Sequence, residues 1–425
     1  MSSKHELSSD EVWPEVRLGN LISLRGGLSY QGSMISDEGN SMVTMGCISP
    51  SSPFKLSGLK RYSGAFGQQH LLKPGDIVIA TRDVTQNREL IGCPAIIPDN
   101  LPGDAIIAAT NLYKVINNSD VENKFLYLVL KSPKYRNEMV ASAKGTTVVM
   151  LTKDAVENFV FRLPPQSVRR EMTEFFSDIN DRITLLRETN ATLEALAQAL
   201  FKSWFVDFDP VRAKMEGRMP EGMDEATAAL FPDSFEETEL GEVPRGWHPT
   251  RLDSFIELVY GKALKAEVRR PGTVPVYGSG GLTGWHDEAL VNGQSIVVGR
   301  KGTVGSLYWA SRPFYPIDTV FYVRSTKPLS YCYQLLKTLS LNDMNTDAAV
   351  PGLNRENVYR LLVPNPPEPI INIFIETAET LRRSIDHNTQ QSDLLVNLRD
   401  SLLPRLISGQ LSPFDTHAQL EESLK

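Results

Sequence analysis

The sequence predicts an α+β protein made by duplication: two mixed α/β domains separated by two long helices that pair as an antiparallel coiled coil, pseudo-twofold overall. Three observations carry this. The chain repeats itself in order, two segments hold an unbroken heptad pattern, and the blocks before them are rich in β-branched runs closed by turn residues. The implied division is 1–163 for the first domain, 164–205 for a central helix and 206–240 for an acidic, ordered linker. Residues 241–365 form the second domain, 366–410 a C-terminal helix and 411–425 a tail.

The repeat has three anchors. At an offset of 202, Leu151 matches Leu353, Pro164-Pro165 match Pro366-Pro367, and the register runs ungapped through Ile183/Ile385 to Leu200/Leu402. At an offset of 234, Trp13, Arg17, Leu18 and Gly27 match Trp247, Arg251, Leu252 and Gly261. Between them, GDIVIATR (75–82) matches GQSIVVGR (293–300) at 218. Chance likeness between amphipathic helices explains one anchor but not three in order. The falling offset places the length difference inside the domains.

Within the domains, GDIVIATR, AIIAATNLYKVI, SIVVGRKG and TVFYVRS read as strands. A shorter helix is expected in each, over about 124–144 and 329–341. No regular strand–helix–strand alternation of a doubly wound sheet appears.

In the central helix, Met172, Phe176, Ile179, Ile183, Leu186, Asn190, Leu193, Ala197, Leu200 and Trp204 fall at 4-3-4-3 spacing. The matching seam of the C-terminal helix is Phe374, Ala378, Leu381, Ile385, Asn388, Ser392, Leu395, Arg399, Leu402 and Leu406. It is weaker, with Asn, Ser and Arg among its positions. A helix over 167–204 would be ~57 Å long at 1.5 Å per residue. A stripe of that length needs a cover, and the economical one is its own duplicate, packed antiparallel. The alternative is that each helix lies on its own domain.

The linker carries three basic and ten acidic residues, which alone matches the net charge of -7. The second domain is correspondingly basic, so the chain total does not exclude a polyanionic partner. The linker also holds Phe208, Met223, Leu230, Phe231, Phe235 and Leu240, too many apolar groups for a free tether. No apolar run reaches the ~18 residues of a membrane span, and the N-terminus lacks the pattern of a secretory signal, so a cytoplasmic location is expected. Cys47, Cys93 and Cys332 are too scattered for a disulfide framework, and neither they nor the six histidines have metal-ligand spacing.

Three near-motifs fail on inspection. Asn365-Pro366-Pro367-Glu368 resembles the Asn-Pro-Pro-Tyr of DNA amino-methyltransferases, but a glutamate replaces the stacking aromatic. Its duplicate, Leu163-Pro164-Pro165-Gln166, points to a structural stop before a helix. The glycine-rich run 278–284 has Thr283 where a dinucleotide fingerprint requires glycine, and no clear helix follows. Pro98-Asp99 with Glu122-Asn-Lys124 mimics a nuclease signature, but so short a pattern arises readily by chance.

The run from Leu200 through FKSWFVDFDPVRAKMEGRMPEGMD, with ALFPDSFEETELGEVPRGW after it, resembles the centre of specificity subunits of Type I restriction–modification systems. VPVYGSGGLTGWHDE and IVVGRKGTVG are similar to one class of their target-recognition domains. The resemblance implies a DNA-reading subunit without catalysis of its own. In that family each recognition domain reads one half of a bipartite site, and the helices set the spacer. They also dock two methyltransferase subunits, and two motor-nuclease subunits complete the restriction complex. No cofactor is expected in this chain: S-adenosylmethionine would belong to the modification subunits, ATP and Mg to the restriction subunits.

Residues suited to phosphate contact or base reading, flanking glycines or on exposed loops, are Lys262, Tyr277, Ser279, Trp285, Arg300, Lys301 and Thr303 in the second domain. Those in the first are Tyr30, Lys60, Arg61, Arg82, Arg88, Lys144 and Thr146, Arg82 being the repeat-mate of Arg300. Trp13 and Trp247 are assigned to packing. Two rivals stand beside this reading: a coiled-coil scaffold that binds proteins only, and a single-chain methyltransferase or nuclease.

Overall fold

The computed structural model describes residues 13–83, 88–145, 149–344 and 352–412. They form two compact units. One joins the chain up to Leu185 to the chain from Gln391; the other is Leu186–Gln390. Each unit thus holds one mixed domain and a length of both long helices.

In the first unit a four-stranded antiparallel sheet runs in the order Ile22–Gly26, Leu112–Asn117, Ile77–Ala80, Pro94–Ile96. A five-stranded sheet adjoins it, with Asn40–Val43 and Ile106–Ala108 as its parallel pair. All four residues of Ile77–Ala80 are buried, as expected of a strand covered on both faces. The second unit has a four-stranded antiparallel sheet, Ile256–Tyr260, Val320–Ser325, Ser295–Gly299, Leu307–Ala310. A three-stranded sheet holds the hairpin Val274–Gly278/Gly281–His286.

The duplication is visible in strand register. Arg17 pairs with Val160 in the first unit, and their repeat-mates Arg251 and Leu362 pair in the second. The next bond repeats as well: Leu18 N–H donates to Phe159 O at 2.8 Å, Leu252 N–H to Leu361 O at 2.9 Å. Gly27 and Gly261 serve one purpose. A Cβ would stand 2.0 Å from Ala109 O in the first case and 2.1 Å from Ile317 O in the second, so neither site accepts a side chain.

The central helix is continuous over Gln166–Phe205 and the C-terminal helix over Glu368–Ile407. Within the second unit Asn190 bonds Asn388 at 2.9 Å, Glu194 bonds Arg382 at 2.6 Å, and the Phe201 and Phe374 rings lie 5.5 Å apart. One number rises as the other falls, so the helices pair antiparallel. In the first unit Arg399 bonds Asn180 at 3.0 Å. The seam follows the heptads: Met172, Phe176, Ile179, Ile183, Leu186, Trp204, Phe374, Ile385 and Leu406 are buried. Leu193, Leu200, Leu381, Leu395 and Leu402 are partly so.

Coiled-coil pairing is only half of what covers the helices. Phe175, Phe201 and Ile375 lie off the predicted seam yet are buried, because a second stripe packs on the adjoining domain. Phe201 meets Tyr331 at 5.4 Å, and Val168 and Met172 share the core of the first domain with Phe125 and Tyr135. The two covers treated as alternatives operate together.

The helix expected over 124–144 is two, Asn123–Lys131 and Pro133–Ser142. Pro133 cannot donate to the preceding turn, and Ser132 caps the new helix through Tyr135 N–H. The counterpart of Asn123–Lys131 in the second domain is Leu329–Thr338. The 206–240 stretch contains helices Asp209–Met215 and Glu225–Leu230, and Phe208 and Phe231 bury beside Trp247. Trp247 is fully buried, and Trp13 packs partly buried on the first core. No described helix is long and apolar enough to cross a membrane.

Candidate nucleic-acid interface

In the second domain, loop ends converge on the Pro316–Thr319 segment. Lys262 N–H donates to Pro316 O, Ile317 N–H to Tyr277 O, and both Arg300 and Lys301 N–H groups to Thr319 O. Ser279 lies in the two-residue turn of the Val274–His286 hairpin, its N–H reaching Thr319 Oγ1. Ser279 O accepts from Ser306 Oγ at 2.6 Å, which ties the hairpin tip to the loop carrying Thr303. Six of the seven sequence-chosen residues (Lys262, Tyr277, Ser279, Arg300, Lys301, Thr303) therefore come together. Trp285 stands apart, at the hairpin's far end, 44% exposed with the Arg312 guanidinium 5.1 Å from its ring.

The charges of this cluster differ in freedom. Lys262, Lys301 and Thr303 are exposed. Arg300 is held: its Nη2 and Nε donate to Asp318 O at 2.6 and 3.1 Å, and its guanidinium lies 5.3 Å from the Tyr260 ring. Its partner is a neutral carbonyl, so the positive charge is retained. Burial pushes the Tyr277 phenol upward, keeping it protonated as a hydrogen-bond donor. Tyr260, half exposed, has the guanidinium of Arg355 at the same 5.3 Å. Sequence reasoning missed Tyr260 and Arg355, although Tyr260 directly precedes Gly261, whose close approach was a usable signal.

The first domain splits its residues into two groups. Arg82 pairs with Met150, which also bridges Lys144, and Arg88 reaches Val140 O from a left-handed backbone (φ 52°). Arg82 and Lys144 are exposed. The other group lies on the five-stranded sheet: Lys60 exposed, Arg61 half-buried, and Tyr30 edge-on to Tyr62 at 6.2 Å. Thr146 lies outside the described residues.

The near-motifs have structural occupations. Asn365 Oδ1 accepts from Lys327, and Glu368 opens the first turn of the C-terminal helix. Glu122 pairs with the buried Arg169 at 3.1 Å, and Asn123 Nδ2 donates to Gly75 O at 2.9 Å. The glycine-rich run 278–284 is a hairpin rather than a strand-to-helix turn. The three cysteines are buried and unpaired, and no metal-holding cluster occurs among the described residues.

The family profile of the Type I restriction modification DNA specificity domain matches twice, over residues 10–195 and 244–394. The chain belongs to that family. It is the DNA-specificity component of a Type I system, the role in which its relatives are named, and not a catalytic subunit. The HindI specificity subunit of Haemophilus influenzae is 25% identical over 375 residues, covering 72% of this chain and 82% of that one. The MjaIX specificity subunit of Methanocaldococcus jannaschii is 21% identical, covering 70% and 71%. In fold, the S subunit from M. genitalium superposes with a TM-score of 0.54 at 16% identity, covering 96% of this chain and 99% of the other. A specificity subunit of a Type I system has DNA and the modification and restriction subunits as its partners.

Proposed function

We propose that each mixed domain reads one half of a bipartite DNA sequence and that the paired helices set the unread spacer between the halves. The observation that carries this is the twofold match of the specificity profile, each copy covering a domain with a cluster of exposed cations at its loop ends. Lys262, Lys301 and Lys144 supply phosphate contacts, while Tyr277, Ser279, Thr303, Arg300 and its repeat-mate Arg82 sit where base edges are read. The helices dock two modification subunits, which hold S-adenosylmethionine. Two restriction subunits, which hold ATP and Mg, complete the nuclease. The complex works in the cytoplasm, with the DNA it marks.

Methylation-sensitive sequencing of cells with and without this gene tests the reading. A split motif that disappears with the gene supports it. An unchanged methylome beside an intact, expressed modification subunit refutes it.

A further inference from the structure

The two units handle the same junction between domain and helices differently. Helix Asn123–Lys131 corresponds to Leu329–Thr338, with Tyr127 matching Tyr333 and Lys131 matching Lys337. In the second unit one carboxylate completes the junction. Glu194 accepts from Lys337 at 2.5 Å, Arg382 at 2.6 Å and Gln334 at 2.9 Å. At the repeat offset of 202, Glu194 becomes Val396 and Arg382 becomes Asn180. The acid has no counterpart in the first unit.

What stands there is a cavity of about 350 Å³ lined by Lys131, Arg136, Arg399, Asp400, Asn180 and apolar groups that include Phe176. Lys131 donates to Ser49 O at 3.1 Å and Pro50 O at 2.6 Å; Arg136 donates to the carbonyls of Ile91 and Glu89. These acceptors are neutral. Arg399 donates to Asn180 Oδ1 and takes Asp400 at 2.8 Å, but the Asp400 side chain is 60% exposed. The lining therefore carries three cations and one largely solvated acid. Burial lowers the Lys131 pKa, the expected consequence of an ammonium withdrawn from water without a close counter-ion.

We propose that this cavity is a carboxylate-binding site, in which an external acid fills the place that Glu194 fills in the other repeat. Its size suits a small dicarboxylate or the tip of an acidic side chain. The second source, an acidic residue of a modification subunit, rests on the assembly proposed above; the first does not.

The test uses the purified full-length chain and its Asn180→Asp variant, which places a carboxylate on Arg399 with little change of shape. Thermal unfolding is followed in succinate, in sulfate and in sodium chloride, all at equal ionic strength. Succinate at ten times its dissociation constant is expected to raise the wild-type midpoint by about 3–6 °C. Asn180→Asp should unfold at a higher temperature in plain salt and not respond to succinate. If succinate has no effect, the protein-borne source predicts that Asn180→Asp weakens binding of the purified modification subunit by roughly tenfold or more. Lys131→Gln, which removes the central cation, should abolish whichever effect is seen. Equal stabilisation by sulfate overturns the carboxylate assignment. No response to succinate, with unchanged affinity for the modification subunit in both variants, overturns the site, whether or not the assembly itself forms.

Discussion

Glu194→Ala in the second unit has consequences that follow directly from geometry. The Glu194 carboxylate receives three donors, two of them charged, and the side chains of Lys337 and Arg382 are only 20% and 14% exposed. Removing it leaves two largely buried cations without their shared carboxylate, with the Gln334 amide short of an acceptor. Charge-assisted hydrogen bonds contribute about 1.5–3 kcal/mol each, and breaking a fully buried pair costs about 3–5 kcal/mol. With partial solvent access, the expected loss is about 2–4 kcal/mol. Glu194→Gln, which retains an acceptor without the charge, should lose roughly half of that. Burial by itself would raise the Glu194 pKa. The hydrogen bond from Lys337, the field of Arg382 and the bond from Gln334 outweigh it, and the carboxyl sits below its ordinary 4.5. A depressed acid stabilises the fold at pH well above 4.5, and the contribution fades as pH falls through the folded-state value. Urea titrations of wild type and Glu194→Gln across this range provide the assay. A stability difference under about 0.5 kcal/mol at neutral pH, typical of an exposed pair, would refute the reasoning. So would a difference that grows on acidification.

Other outcomes follow from the same structure. Arg300→Ala should relax recognition of one half-site and Arg82→Ala the other, by about 1–3 kcal/mol each in methylation competition assays; equal loss at both halves from either change would contradict the assignment. Four residues inserted after both Asn190 and Thr389 lengthen each helix by ~6 Å. At ~3.4 Å per base pair, the methylated motif should gain one to two spacer positions with its half-sites unchanged, and an active variant with the old spacer would contradict this. Asn365→Ala should lower stability by releasing Lys327, while a folded, DNA-bound complex still methylates; loss of methylation there would make Asn365 more than a structural latch.

Much of this architecture was legible because it is periodic or repeated. Three offsets located the duplicated blocks, and the strand pairs Arg17/Val160 and Arg251/Leu362 preserve two of those offsets in space. Heptad spacing found the seam from Met172 to Trp204. It did not find Phe201, because period reveals a stripe but not that a second surface exists to cover another one. The break at Ser132-Pro133 was readable from the proline alone. Glu194, Lys337 and Arg382 were not, since the helix Leu329–Thr338 and both long helices meet only after folding. In the interface, residues beside glycines were found because tight backbone approach marks loop ends. Tyr260 had a local signal in the adjoining Gly261, whereas Arg355, joined to it through a ring contact between distant segments, left none.

The central claim, one domain for one half-site, is tested most directly by exchanging a domain. Residues 252–361, between the paired strands Pro249–Arg251 and Leu362–Pro364, are replaced by the corresponding segment of another specificity subunit, and the methylated motif is sequenced. The account predicts that one half-site changes to that of the donor while the other half and the spacer length stay as they were. A motif altered in both halves, or in neither while methylation persists, would contradict it.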